Sequence, residues 1–173
     1  MKNPATSRLL LFLCGLALIF GSGVRAAANP SSPNLFEPES LKKIEQAYAG
    51  QPFLLVMWSL DCPPCREELA LLSEFSKQHR DFKLVLVSTD AADASAQVAE
   101  VLAEQQLNHV ESWVFSEAGA DRLRYEIDPD WYGEIPRSYF YDQNHQRTAV
   151  SGALKKQQIV TWLSDTAKKS SGR

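Results

Sequence analysis

Cys62 and Cys65 stand three positions apart in the run Leu54-Leu55-Val56-Met57-Trp58-Ser59-Leu60-Asp61-Cys62-Pro63-Pro64-Cys65-Arg66-Glu67-Glu68-Leu69, where an apolar strand is expected to turn into a helix. Thiols one helical turn apart share a face and can close on each other or on a third sulfur. At a helix start, unpaired backbone N–H groups and the positive end of the dipole favour a thiolate. Cys62 is therefore expected to attack and Cys65 to resolve the mixed disulfide. A zinc site would need two further ligands, whereas Cys14 lies in an N-terminal apolar segment and His79, His109 and His145 are scattered singly. Copper delivery would call for an added histidine, for which His145 in Asp142-Gln143-Asn144-His145 is a weak candidate. A purely structural bridge closing so short a loop restrains little of the unfolded chain. The redox dithiol is preferred, with no metal; the structural and copper readings stay open.

The ends of the chain bear on the same question. Residues 1–26 have the parts of an export signal: Lys2 and Arg8, an apolar stretch from Leu9 to Phe20, and Val24-Arg25-Ala26 at a cleavage point. Cleavage near Ala27 is expected, an uncleaved membrane anchor being the alternative. It removes three of the 18 basic residues and none of the 21 acidic ones, leaving 15 against 21, a net charge of −6. Such a domain has no nucleic-acid footprint. Only Cys62 and Cys65 then remain, in an oxidising compartment where a thiol pair implies redox use.

These cysteines need elements to hold them. Residues 27–33 read as a flexible leader, 34–167 as one domain and 168–173 as a disordered tail. Pro38 and Gly50 bracket a short amphipathic helix with Leu41, Ile44 and Tyr48 at helical spacing. Phe53 to Trp58 is apolar without alternation, a central strand covered on both faces. From Cys62 to about His79, Leu69, Leu72 and Phe75 make one buried helical stripe. Lys83 to Ser88 predicts a second buried strand, followed by a helix carrying Val98, Val101 and Leu102. Trp113 to Phe115 predicts a third strand and Glu117 to about Tyr125 a helix, which Asp128 to Gly133 ends in a loop. Ser138–Tyr141 and Thr148–Ser151 predict a hairpin, and a helix with Ile159, Trp162 and Leu163 inward closes the domain. This alternation predicts a three-layer α/β/α sandwich with a mixed sheet.

With these residues in place, the chain resembles a thioredoxin-fold protein, and more narrowly the TlpA-like thiol–disulfide oxidoreductases of the bacterial periplasm. The resemblance covers roughly residues 34–167. It rests on the strand ending in Trp58, on Cys62-Pro63-Pro64-Cys65, on an extra strand and helix before Asp128, and on Ile135-Pro136 opening a strand. It implies a cis Pro136 facing the cysteines, with the backbone at Ile135 pairing with substrate. Pro63, Pro64, Glu134 and Trp131 join Ile135 and Pro136 as expected substrate-binding residues, Trp131 and Tyr132 at the rim unless they pack against the sheet. Glu68, three residues after Cys65, matches an acidic residue that the family keeps near the dithiol for proton transfer. A solvated glutamate favoured by the helix dipole is the plainer alternative.

The chain departs from the family at Asp61, where an aromatic residue is usual, at Ala70, where the helix often has a proline, and at Arg137, where threonine is commoner. Val56 takes the place of thioredoxin's buried aspartate. A peroxidase is disfavoured because Leu55 and Ser59 replace the proline and threonine expected upstream of a peroxidatic cysteine. The resemblance implies a soluble periplasmic dithiol reductase, monomeric and without cofactor. It would take electrons from a membrane donor of the DsbD or CcdA type and act on oxidised cysteines of exported proteins, cytochrome c or copper-site assembly being the contexts. A disulfide oxidase or isomerase, or a copper metallochaperone, is the alternative.

Overall fold

The computed structural model describes residues 32–171, so the expected export signal and nearly all of the leader lie outside the described residues. A six-stranded sheet runs through the middle, built from β1 (Asn34–Phe36), β2 (Phe53–Trp58), β3 (Leu84–Ser88), β4 (Glu111–Phe115), β5 (Arg137–Tyr141) and β6 (Arg147–Ser151) in the order β1-β4-β3-β2-β5-β6. The first four strands in that order are parallel; β5 and β6 are antiparallel to their neighbours. Parallel strands need crossover connections, which here carry α1 (Ser40–Ala47), α2 (Pro63–Gln78) and α3 (Ser95–Glu104); α4 (Ala120–Ile127) links β4 to the oppositely directed β5, and α5 (Lys156–Ser171) follows the hairpin.

All six β2 residues are buried because helices cover both faces. Leu54, Val56 and Trp58 face a cluster with Leu69, Leu72 and Phe75 of α2, Val98 and Leu102 of α3, and Ile159 of α5. Phe53, Leu55 and Met57 face a second cluster with Ile44 of α1 and Leu123 and Ile127 of α4. The α/β/α sandwich and mixed sheet expected from the sequence are thus present.

One strand was not foreseen from the sequence, and one helix runs further than expected. Asn34 begins β1, an edge strand paired with β4, and Pro33 before it is buried. A three-residue strand carries too little periodicity to be seen, and its partner is 79 residues away. At the other end, α5 continues to Ser171, so the backbone is helical through most of the expected tail. The run of Lys and Ser there lacks an apolar stripe but contains no helix breaker before Gly172.

Candidate active site

Proline at the first helical positions suits the start of α2, since its missing N–H would be unpaired there and its φ is already helical. Pro63 and Pro64 are exposed. Cys62 is the N-cap: its sulfur accepts the Cys65 N–H at 3.3 Å and its carbonyl accepts the N–H groups of Cys65 and Arg66. The adjacent Asp61 does not cap the helix. Cys62 and Cys65 form a disulfide, with Cys62 6% and Cys65 1% exposed. The difference follows from position, because Cys65 has entered the helix face that packs on the sheet. An open depression lined by Leu60, Asp61, Pro63, Arg66 and Glu67 flanks the pair.

The loop before Cys62 is held from the neighbouring strand. Asp90, just past β3, accepts the Leu60 N–H at 3.0 Å and is bonded to Ser88, while the Thr89 N–H donates to the Trp58 carbonyl. Sequence reasoning missed Asp90; Ser88-Thr89-Asp90 ending a buried strand was the available signal.

Glu68 is 2% exposed, so it is no solvated glutamate. Its carboxyl accepts Ser138 Oγ–H at 3.1 Å and the Leu154 N–H at 3.3 Å. Burial pushes its pKa up from 4.5 to about 7, against the opposing effect of those two donors. Ser138 pairs with Val56 across β2 and β5, so both project from the sheet face covered by α2. Val56 leaves that face without the carboxylate thioredoxin places there, and α2 delivers one from the other side. Ser138 was also missed, although a short polar residue in the otherwise aromatic Ser138-Tyr139-Phe140-Tyr141 marks it.

The Ile135–Pro136 peptide bond is cis, as the resemblance implies. The β2–β5 register pairs Met57 with Arg137, so one further step sets Pro136 opposite Trp58, where the chain leaves for Cys62. The Pro136 carbonyl accepts the Gly152 N–H, whereas Ile135 makes no backbone hydrogen bond within the described residues.

Two expected substrate-binding residues are otherwise engaged. Trp131 is 4% exposed, packs in the second core cluster and donates its indole N–H to the Glu134 carbonyl at 2.8 Å. It is a brace rather than a rim residue; the exposed aromatic is Tyr132, at 91%. Glu134 bonds Arg137 at 3.1 Å and Ser151 at 2.8 Å. Burial opposes its ionisation, but the Ser151 hydroxyl, backbone N–H groups and Arg137 outweigh it and hold the carboxyl below its usual range. His145 lies at the β5–β6 turn, at the other end of β5 from Pro136, and bonds the Tyr48 carbonyl. The structure does not bring it to the cysteines as a copper ligand.

A dithiol/disulfide pair capping a helix, a cis-proline opposite the strand that leads to it and a buried carboxyl one turn below together define a thiol–disulfide oxidoreductase of the thioredoxin fold. The chain belongs to the AhpC/TSA family, whose model matches residues 36–158. Sporulation thiol-disulfide oxidoreductase A of Bacillus subtilis (strain 168) is 27% identical over 140 residues, which is 78% of this chain and 77% of that protein. Among solved structures, StoA from Bacillus subtilis superposes with a TM-score of 0.51 at 24% identity, covering 66% of this chain and 84% of that one. A secreted Mycobacterium tuberculosis disulfide oxidoreductase homologous to E. coli DsbE gives 0.55 at 19% identity, covering 69% and 85%. These two structural likenesses speak for the fold.

Proposed function

We propose that the protein is an exported dithiol reductase, receiving electrons from a membrane-bound donor of the DsbD or CcdA type and passing them to oxidised cysteines of other exported proteins, in cytochrome c or copper-site assembly. The observation that carries this reading is the Cys62–Cys65 disulfide at the start of α2 with a carboxyl, Glu68, buried one turn further along the same helix. In the reduced protein the Cys62 thiolate attacks a substrate disulfide, forming a Cys62–substrate bond and expelling one substrate sulfur, which takes up a proton. Cys65 then attacks Cys62, closing the disulfide and expelling the second sulfur. Two electrons leave the protein; one proton comes from Cys65, and the other comes from the solvent that took it when Cys62 ionised. Resolution requires Cys65, buried at 1%, to lose its proton away from bulk water; the Glu68 carboxylate one turn below accepts it and can pass it on.

The direction of electron flow is argued from charge. Asp61 and Glu67 flank the pair at the surface and Glu68 lies beneath it, while Arg66 leans 3.9 Å from Glu104. Acidic surroundings disfavour a thiolate, and so favour the oxidised form and a reducing potential, nearer thioredoxin's roughly −270 mV than the roughly −120 mV of strong oxidants. Equilibration with glutathione measures it; a value above about −180 mV would overturn the reductase reading. Export and substrate are tested together by Cys65→Ser, which blocks resolution. Mixed disulfides trapped on Cys62 in cells should contain exported proteins, and capture of cytosolic proteins alone would contradict the proposal.

A further inference from the structure

Arg137, directly after Pro136, lies at the centre of a polar network that the chemistry above does not use. Its Nη2 donates to Asp128 at 2.9 Å, Nη1 to Glu134 at 3.1 Å, and Nε to the Tyr139 hydroxyl at 3.2 Å; Nη1 also reaches Ser151 of β6. Asp128 further accepts the Tyr139 hydroxyl at 3.0 Å and the Asp130 N–H at 3.2 Å, and lies 3.7 Å from Arg147. The guanidinium groups of Arg137 and Arg147 both approach the Tyr139 ring, at 5.2 and 5.0 Å. Burial opposes ionisation of Asp128, but Arg137, the Asp130 N–H, Tyr139 and Arg147 together hold its carboxyl below the usual range.

The geometry identifies a connection between the two ends of one loop. Asp128 opens the segment from α4 to β5 and Glu134 stands next to Ile135 near its close. One planar guanidinium thus ties both ends, a task for which a single ammonium lacks the fork of donors. The Arg137 side chain pairs in register with Met57, whose face carries the second core cluster, whereas α2 and the cysteines cover the opposite face. Arg137 cannot touch the reacting sulfurs from there. What it ties down, through the side chains of Asp128 and Glu134, is the segment that carries Ile135, for whose backbone no hydrogen bond is found within the described residues.

We propose that Arg137 is a positioning residue that sets the Ile135–Pro136 edge for capture of an extended peptide around the target cysteine, so that it governs substrate binding and not sulfur chemistry. The proposal rests on the oxidoreductase reading above.

The test compares two oxidants of the reduced protein: an extended peptide containing an intermolecular disulfide, and 5,5′-dithiobis(2-nitrobenzoate), which has no peptide strand to pair. Arg137→Met should raise the half-saturating peptide concentration about tenfold with the limiting rate within about twofold, a loss of uniform binding, and leave the small-disulfide rate unchanged. Arg137→Lys should fall between, having kept the charge without the fork. A merely structural role would depress both reactions together, and that result, or a peptide dependence identical to wild type, overturns the proposal. If Arg137→Met does not fold, Glu134→Ala releases the loop from its exposed end; it should weaken peptide capture severalfold, and unchanged capture would count against the proposal equally. A wild-type protein inert toward both disulfides would instead sink the oxidoreductase reading beneath it.

Discussion

At the scale of single residues, the two sulfurs are made unequal by one turn of helix. Cys62 caps α2 and keeps some access to solvent, while Cys65 faces the core. Alkylation of the reduced protein near neutral pH should therefore mark Cys62 first, read by mass mapping; preferential labelling of Cys65 would reverse the assigned roles. Asp61 is exposed and does not cap the helix, so its influence on Cys62 is that of a neighbouring like charge alone. Asp61→Asn should speed alkylation of Cys62 modestly at fixed pH, the gain shrinking as salt is added. An equal rate at low salt would show that the carboxylate is directed away from the sulfur.

Among the elements, the active-site loop is as much a product of β3 as of β2. Leu60 lies between the end of β2 and the start of α2, and its N–H is satisfied by Asp90 beyond β3. Asp90→Ala removes that acceptor and a partner of Ser88, leaving a half-buried donor unpaired at a cost of about 1–3 kcal/mol. A urea midpoint lowered with unchanged slope would match this, together with faster alkylation of Cys62 as the loop loosens. An unaltered midpoint would mean that water replaces the carboxylate at no cost.

For the whole molecule, two buried carboxyls impose opposite pH dependences on stability. Glu68 ionises at about 7 in the folded protein against an ordinary 4.5, so the native state binds the extra proton between these values. Stability from this group is greatest below 4.5 and falls as pH rises to 7, by at most about 3 kcal/mol. Asp128 is displaced the other way, below its ordinary 3.8, so its contribution is present above that value and is lost as pH falls through the lower folded one. Their joint contribution peaks at about pH 4–5. Thermal midpoints measured against pH should decline from there toward neutrality, and Glu68→Gln should flatten that decline while keeping the loss in acid. A Glu68→Gln profile parallel to wild type would remove Glu68 as the cause.

The chemistry was legible in the sequence because it is local. Cys62 and Cys65, the prolines between them and the apolar run before them determine a dithiol at a strand-to-helix turn, since periodicity and capping act within a few residues. The α/β alternation and Ile135-Pro136 before a strand carried the fold. What the sequence left open depends on contacts across long separations. Whether Glu68 was solvated or buried turned on Ser138, 70 residues away, and on Leu154, 86 away. Trp131 could face a partner or the core, and packing against the second cluster chose the core. Asp90 beneath Leu60 and the Asp128–Arg137–Arg147 network became visible only once the sheet order had placed β3 beside β2 and β6 beside β5. A charged side chain alone does not reveal which distant partner will accept it; desolvation in the assembled core makes that choice.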